Sequence, residues 1–516
     1  MNFSTQQPFK RTSISNWTCL LVMASIFTLS GCGGASDSAE EPNDRAENDG
    51  SVNDESSSDT DSDTTTETST DPTTDTPVAN LPSNGQSNIL LIIADDLGVD
   101  NISLYNEQPD YSAATPSIDA IANNGVLFRN AWANPMCSPS RASIYTGQHA
   151  YNHELLTPGE STDKTLSAEI LSQAGYATAL FGKWHLGWGT HTPDQQGFDY
   201  WAGPKDNLTD YYQWTKYVKA SDGSIDTTVE YSGMNEQNYA TTVTAQDAVE
   251  WINNQTGPWF ATVAFNAGHT PLQVPINVGE RRSLNGEIGD TCDNTTDSKH
   301  ECFRAMVEVM DHYIGDLFTQ VDTSNTVIIF VADNGPSGGT VYQQDGTPFI
   351  RSHSKGTVYE GGVNVPLIIG GGSNITLNTG EETAPVQVQD IFSTVLEVAN
   401  ASPVNAVDGQ SLRPYLDSSQ ASTERNILYT ELFADKDTQG AVDSEDNNYW
   451  AILDASSQVK YMYVEDSSET DEKCFNLLTD ITEEQDLFDI NGDTSDMCNQ
   501  LKTQRPCLAT GNCPTF

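Results

Sequence analysis

The sequence predicts an α/β fold with a doubly wound, mainly parallel sheet, and three observations predict it. Ile89-Leu90-Leu91-Ile92-Ile93 and Val327-Ile328-Ile329-Phe330-Val331 are unbroken apolar runs, as strands buried on both faces require. Between such runs apolar residues recur at helical spacing, so strands and helices alternate. Polar residues follow the runs directly: Asp95-Asp96 after the first, and Asp333-Asn334 after the second. That is the carboxyl edge, where open α/β sheets place their sites.

The elements follow in order. Thr115-Pro116 opens a helix with proline in its first turn, Ile118, Ile121 and Ala122 form its inner face, and Gly125 ends it. A second helix runs over 165–174 to Gly175, and the strand Ala177–Phe181 leads to Lys183 and His185. Trp259 to Phe265 reads as a strand leading to His269. From Phe303 to Leu317, the residues Met306, Val309, Met310, Tyr313 and Ile314 keep helical spacing and read as core. After Val407–Leu412 the rhythm changes, and Tyr449 to Val464 reads as paired strands of a smaller C-terminal antiparallel sheet subdomain.

Ahead of the folded part, Lys10 and Arg11 precede an apolar run from Trp17 to Leu29, too short to span a bilayer, which needs roughly 20 residues. Leu29-Ser30-Gly31-Cys32 resembles a bacterial lipobox, which implies a lipid-modified Cys32, export, and anchoring at the outer membrane. A soluble secreted or periplasmic protein is the alternative. The segment that follows, to about Ser87, is Asp, Glu, Ser and Thr with almost no branched or aromatic residue, the composition of a disordered tether. Its roughly 50 residues would reach about 40 Å on average. The expected organisation is a signal segment 1–31, a tether 32–87, a catalytic α/β domain 88–420 and a C-terminal subdomain 421–516.

Lys and Arg number 23 against 73 Asp and Glu, a formal charge of −50, which excludes a nucleic-acid footprint. Salt confines such a field to about 10 Å, so a basic pocket for an anion remains workable, and the acidity suits a saline habitat. Of nine cysteines, Cys19 and Cys32 fall in the export segment and Cys137 in a motif. The six others, in an exported chain, suggest disulfides; proximity favours 292–302, 474–498 and 507–513 among 15 connectivities.

The chemistry gathers in six blocks: Asp95-Asp96, Cys137-Ser138-Pro139-Ser140-Arg141 closed by Thr146-Gly147, Gly182-Lys183-Trp184-His185-Leu186-Gly187, Gly268-His269-Thr270-Pro271, Asp333-Asn334-Gly335, and Lys355 to Gly362. Asp95, Asp96, Asp333 and the Asn334 amide offer four hard oxygen ligands, a set for Ca²⁺ or Mg²⁺ rather than zinc. In this order, from about Ile89 to Phe488, the blocks resemble the type I sulfatase family. The resemblance implies an alkaline-phosphatase-like fold and one Ca²⁺. It also implies that a maturase oxidises Cys137 to Cα-formylglycine, whose hydrate is both nucleophile and metal ligand and passes through a sulfo-enzyme intermediate.

On that resemblance Arg141 holds the motif loop, Lys183 and Lys355 bind sulfate, and His269 with Lys355 faces the leaving oxygen. His185 takes the proton from the second hydroxyl. The substrate class implied is a sulfated polysaccharide, such as an algal one, or its oligosaccharides. His149, His153, His191, Arg351 and His353 lie beside the motifs as candidate substrate contacts, and Tyr211, Tyr212 and Trp214 form an aromatic cluster for either sugar stacking or packing. The competing readings are a phosphonate or phosphate monoester hydrolase of the same superfamily, and a surface glycan-binding lipoprotein without catalysis.

Overall fold

The computed structural model describes residues 87–106, 112–155, 162–187, 191–274, 296–338, 353–418, 425–432, 448–465, 470–491 and 496–506. The predicted alternation is there. Ten strands form one sheet: β1 (Asn88–Ala94), β2 (Gly125–Trp132), β3 (Ala177–Gly182), β4 (Tyr200–Gly203), β5 (Thr215–Ala220), β6 (Asp226–Glu230), β7 (Trp259–Ala264), β8 (Thr326–Ala332), β9 (Leu367–Gly371) and β10 (Gly380–Gln387). Their order is β10-β2-β9-β8-β1-β7-β3-β4-β5-β6. The middle, from β8 to β4, is parallel, while β9, β5 and β6 run against their neighbours. The apolar runs sit in that middle: every residue of β7 and β8 is buried, as is all of β1 beyond Asn88.

Helices cover the sheet: α1 (Pro116–Asn123), α2 (Cys137–Thr146), α3 (Ala150–His153), α4 (Ser167–Gln173), α5 (Ala240–Asn253), α6 (Thr296–Gln320), α7 (Glu360–Val363), α8 (Asp390–Val398) and α9 (Arg413–Asp417). Asn124 caps α1, so the helix stops one residue before the expected Gly125, which is already the first residue of β2. In α6, Met306, Val309, Met310, Tyr313 and Ile314 are core residues, as their spacing predicts. No helix among the described residues is long and apolar enough to cross a membrane.

The smaller sheet is antiparallel, in the order β11 (Ile427–Leu432), β12 (Asn448–Asp454), β13 (Val459–Glu465) and β14 (Thr470–Asn476). The helices α10 (Leu487–Asn491) and α11 (Asp496–Lys502) pack against it. A second apolar cluster joins this sheet to the larger one, with Trp132, Val358 and Val363 on one side and Leu428, Met462 and Phe475 on the other. Cys474 and Cys498 form a disulfide that ties β14 to α11, as proximity predicts. Closing a loop of that length removes about 3 kcal/mol of unfolded-chain entropy in the simplest account. Cys302 is also disulfide-bonded. Cys292, Cys507 and Cys513 lie outside the described residues.

Candidate active site at the carboxyl edge of the central strands

Register places the motif residues together. Gly182 pairs with Ala264, Ala264 with Ile93, and Ala94 with Ala332, so four parallel strands end level. Their next residues are Lys183 and His185 after β3, Asn266 to His269 after β7, Asp95-Asp96 after β1, and Asp333-Asn334 after β8. Gly182 makes this close approach possible. Its φ is +89°, and a Cβ there would stand 2.0 Å from the carbonyl oxygen of Ala264.

Cys137 arrives from the other direction, as the first residue of α2. The preceding loop is fixed by Ser140, whose hydroxyl accepts from the Asn134 amide at 2.9 Å and donates to its carbonyl at 3.0 Å. Ser138 donates to the carbonyl of His185 at 2.9 Å, locking the helix start to the β3 end. Gly147 closes α2 in a left-handed conformation. The helix therefore aims its unpaired N–H groups, and the positive end of its dipole, into the site.

Around the Cys137 sulfur stand Lys355 Nζ at 3.1 Å, Asp95 Oδ1 at 3.4 Å and Asp96 Oδ1 at 3.8 Å. Lys355 also donates to Asp96 Oδ1, and Lys183 to Asp95 Oδ2, both at 2.5 Å. Arg141 crosses beneath, from Nε to Asp333 Oδ2 at 2.7 Å and from a terminal nitrogen to the carbonyl of Lys183 at 2.9 Å. Three carboxylates thus meet three cations, all buried except Lys355, whose side chain is 13% exposed. Burial would raise Asp95, but Lys183, His269 and Arg141 hold it well below the usual carboxylate range. Burial lowers and Asp96 raises Lys355, with a net rise that keeps it charged. The Cys137 thiol goes up, chiefly by burial and against the pull of the two lysines, so the plain cysteine stays protonated.

The two histidines differ in state. His185 is buried with φ +62°, its pKa well below the ordinary value through burial and then through Lys183 and Arg141. It is a neutral imidazole whose Nδ1 has no hydrogen-bond partner. His269 is partly open to solvent and stands between the cis peptides Ala267–Gly268 and Thr270–Pro271. Its Nδ1 lies 2.6 Å from the carbonyl of Thr270, which leaves Nε2 free, 3.9 Å from Asp96 Oδ2.

A cation fits here. Ligand atoms of Asp95, Asp96, Cys137 and His269 lie within 4.8 Å of one another. Asp96 Oδ2 and Asn334 Oδ1 are buried without any hydrogen-bond partner, which a bound ion would supply. Their hard oxygens suit Ca²⁺ or Mg²⁺. Asp333 is turned toward Arg141 and the Asp96 amide, and stands at the edge of this group.

The flanking candidates have partners of their own. His153 lies behind α2 against Ser143, at 3.1 Å, and burial brings its pKa down to about 3. His149 stacks on Tyr151, near Tyr429 of the small sheet. His191 pairs with exposed Asp163, and His353 stacks on Tyr359. Of the aromatic cluster, Tyr211, Tyr212 and Trp214 are all buried, so packing replaces the sugar platform. Tyr211 has a role that its sequence gave no sign of: its hydroxyl meets the carbonyls of Asn266 and His269 at 2.5 and 2.8 Å and holds the His269 turn. Arg351 lies outside the described residues.

A mainly parallel α/β sheet with an acidic strand edge and a cysteine at a helix N-terminus is the frame of the alkaline phosphatase superfamily. Within it, the chain belongs to the sulfatase family, whose model, described as Sulfatase, matches residues 87–401. It is similar to human N-acetylgalactosamine-6-sulfatase, with 29% identity over 374 residues, covering 64% of this chain and 65% of that protein. The chain thus spans a little under two thirds of that relative. A protein of Formosa agariphila named sulfatase is 26% identical over 524 residues, 84% of this chain and 90% of its own. Among solved structures, the PsFucS1 sulfatase of a Pseudoalteromonas species superposes with a TM-score of 0.65 at 20% identity, over 84% of this chain and 92% of that one.

Proposed function

We propose that this chain hydrolyses sulfate esters on a saccharide, with Cys137 oxidised to formylglycine, in an exported and lipid-anchored enzyme. The observation that carries the reading is the convergence on Cys137 of two lysines, two carboxylates and the α2 N-terminus, flanked by one neutral and one solvent-facing histidine.

The charges explain how an anion enters so acidic a protein. Asp95, Asp96 and Asp333 are balanced by Arg141, Lys183 and Lys355, so these six side chains are neutral together. A Ca²⁺ held by Asp95, Asp96 and Asn334 at this edge, with Asp333 beside them, would supply the net positive charge that draws in and polarises the ester. The hydrated aldehyde supplies an attacking oxygen and a second hydroxyl. Lys183 and Lys355 grip sulfate oxygens as point charges, and Arg141 fixes Asp333 and the β3 end from below. His269 Nε2 gives the leaving alcohol its proton from the solvent side, while neutral His185 accepts one.

N-acetylgalactosamine-6-sulfatase acts, by its name, on a sulfated amino sugar. That supports a sulfated saccharide here, with an algal polysaccharide as the substrate the acidity suits. The Cys474–Cys498 disulfide supports an oxidising compartment. Sulfate release from defined sulfated oligosaccharides, with an aryl phosphonate as competitor, tests the activity. The Cys137 peptide should be about 18 Da lighter than its cysteine form, and Cys137→Ala should lose several orders of magnitude. A fully active Cys137→Ala enzyme would sink the mechanism, and phosphonate turnover above sulfate turnover would sink the substrate class.

A further inference from the structure

Lys355 touches both Asp96 and the Cys137 sulfur, yet it stands on a segment outside the strands that carry the rest of the site. Two backbone bonds place that segment over the pocket: Lys355 N–H to the carbonyl of Pro336 at 3.0 Å, and Gly356 N–H to that of Pro135 at 2.9 Å. From Glu360 onward it becomes the single turn α7. What holds its far side is the small sheet.

The grip there is ionic and buried. Lys460 of β13 donates to Glu360 Oε1 at 3.0 Å and stands 2.7 Å from Glu483 Oε1. The other oxygen of Glu483 accepts the N–H of Glu360 at 2.6 Å. All three side chains are at most 7% exposed, and Lys460 also lies 4.8 Å above the Trp132 ring. Beside them the carbonyl of Thr482 meets His353 Nδ1 at 3.1 Å, and His353 stacks on Tyr359. Apolar side chains could fill such a place at less desolvation cost. Charged groups add direction, and here every bond points at the two ends of the Lys355 segment.

We propose that Lys460 and Glu483 are positioning residues for Lys355: the small sheet clamps the segment at Glu360 and so sets where the Lys355 ammonium stands over the nucleophile. A lysine side chain has four rotatable bonds, so its head is placed only as well as its backbone is. Misplacement by about 1 Å can cost on the order of a hundredfold in rate. The inference rests on the sulfatase reading for its consequence, but not for the clamp itself.

Two variants test it. Lys460→Met removes the cation and strands two buried acids; if it does not fold, Glu483→Gln keeps the shape and an acceptor for the Glu360 N–H. In folded variant protein, hydrogen exchange should quicken over 353–364 and stay unchanged over α2. That measurement needs no substrate, so it stands even if wild-type enzyme releases no sulfate, the result that would refute the sulfatase reading alone. In active enzyme, Glu483→Gln should lower kcat/KM about tenfold, and its effect should shrink below about twofold when Lys355 is already alanine. Unchanged exchange in the segment, or an equal loss with and without Lys355, overturns the proposal.

Discussion

His185 and His269 share one pocket, and their surroundings suit them to opposite duties in the proposed reaction. Buried beside Lys183 and Arg141, His185 is neutral, and its free Nδ1 can accept a proton. The Thr270 carbonyl occupies Nδ1 of His269, leaving Nε2 on the open side for a leaving group. His269→Ala should therefore cost far more with a sugar sulfate than with a nitrophenyl sulfate, whose phenolate departs without a proton. His185→Ala should slow both and show an initial burst of phenol. Equal loss on both substrates in His269→Ala, with chemistry limiting, would remove it as the acid. These residues were legible because each follows an apolar run inside a motif. What His149, His153 and His353 touch was not legible, because adjacency in sequence does not say that they meet Tyr151, Ser143 and Tyr359.

At the scale of elements, β8 shows how tightly a strand end is held. A Cβ on Gly335 would lie 1.9 Å from the carbonyl oxygen of Gly361, and the Gly335 N–H donates to Gly362 at 2.9 Å. Neither backbone can yield, so Gly335→Ala should displace Asn334, destabilise the fold by about 1–3 kcal/mol and reduce activity. An unchanged Tm would contradict this. In β11, Glu431 is buried with Tyr429 donating to one oxygen and the Tyr151 N–H to the other, both at 2.5 Å. Burial pushes its pKa up to about 7 from 4.5, against the hydrogen bond from Tyr429 and the charge of Arg505. The native state then holds a proton that the unfolded chain releases near pH 4.5. That stability is complete below about pH 4.5 and is lost as pH rises through 7. Glu431→Gln, fixed in the neutral state, should gain on wild type in unfolding free energy between pH 5 and 8, by up to about 3 kcal/mol, read from denaturant melts across that range. A pH-independent difference would refute the assignment. The central strands were legible from their apolar runs; β5 and β6 were not, since β6 is fully exposed and shows no buried face to read.

For the whole molecule, the division into a large mixed sheet and a small antiparallel one was legible from the change of rhythm after Leu412. The contact between them was not, because Glu360, Lys460 and Glu483 are ordinary surface residue types that only folding brings together. A bound cation should stabilise the entire fold, since it satisfies Asp96 Oδ2 and Asn334 Oδ1, which otherwise have no hydrogen bond. Chelation should lower both Tm and sulfate release, and Ca²⁺ should restore them better than Zn²⁺. No Tm change between metal-stripped and Ca²⁺-loaded protein would argue against the site.

The clamp on Lys355 also carries a consequence in time. Lys355 follows Cys137 by 218 residues, and Lys460 follows Glu360 by a further 100. The ribosome thus makes Cys137 early, and the Lys355 segment with the Lys460 that holds it late. A growing chain has Cys137 open, while the finished one buries it at 1% exposure. Folding itself then sets the deadline for any enzyme that must reach this thiol. If Cys137 is oxidised as proposed, protein folded first and given the maturase afterwards should keep its cysteine, and efficient conversion of the folded form would show that the Lys355 segment moves aside.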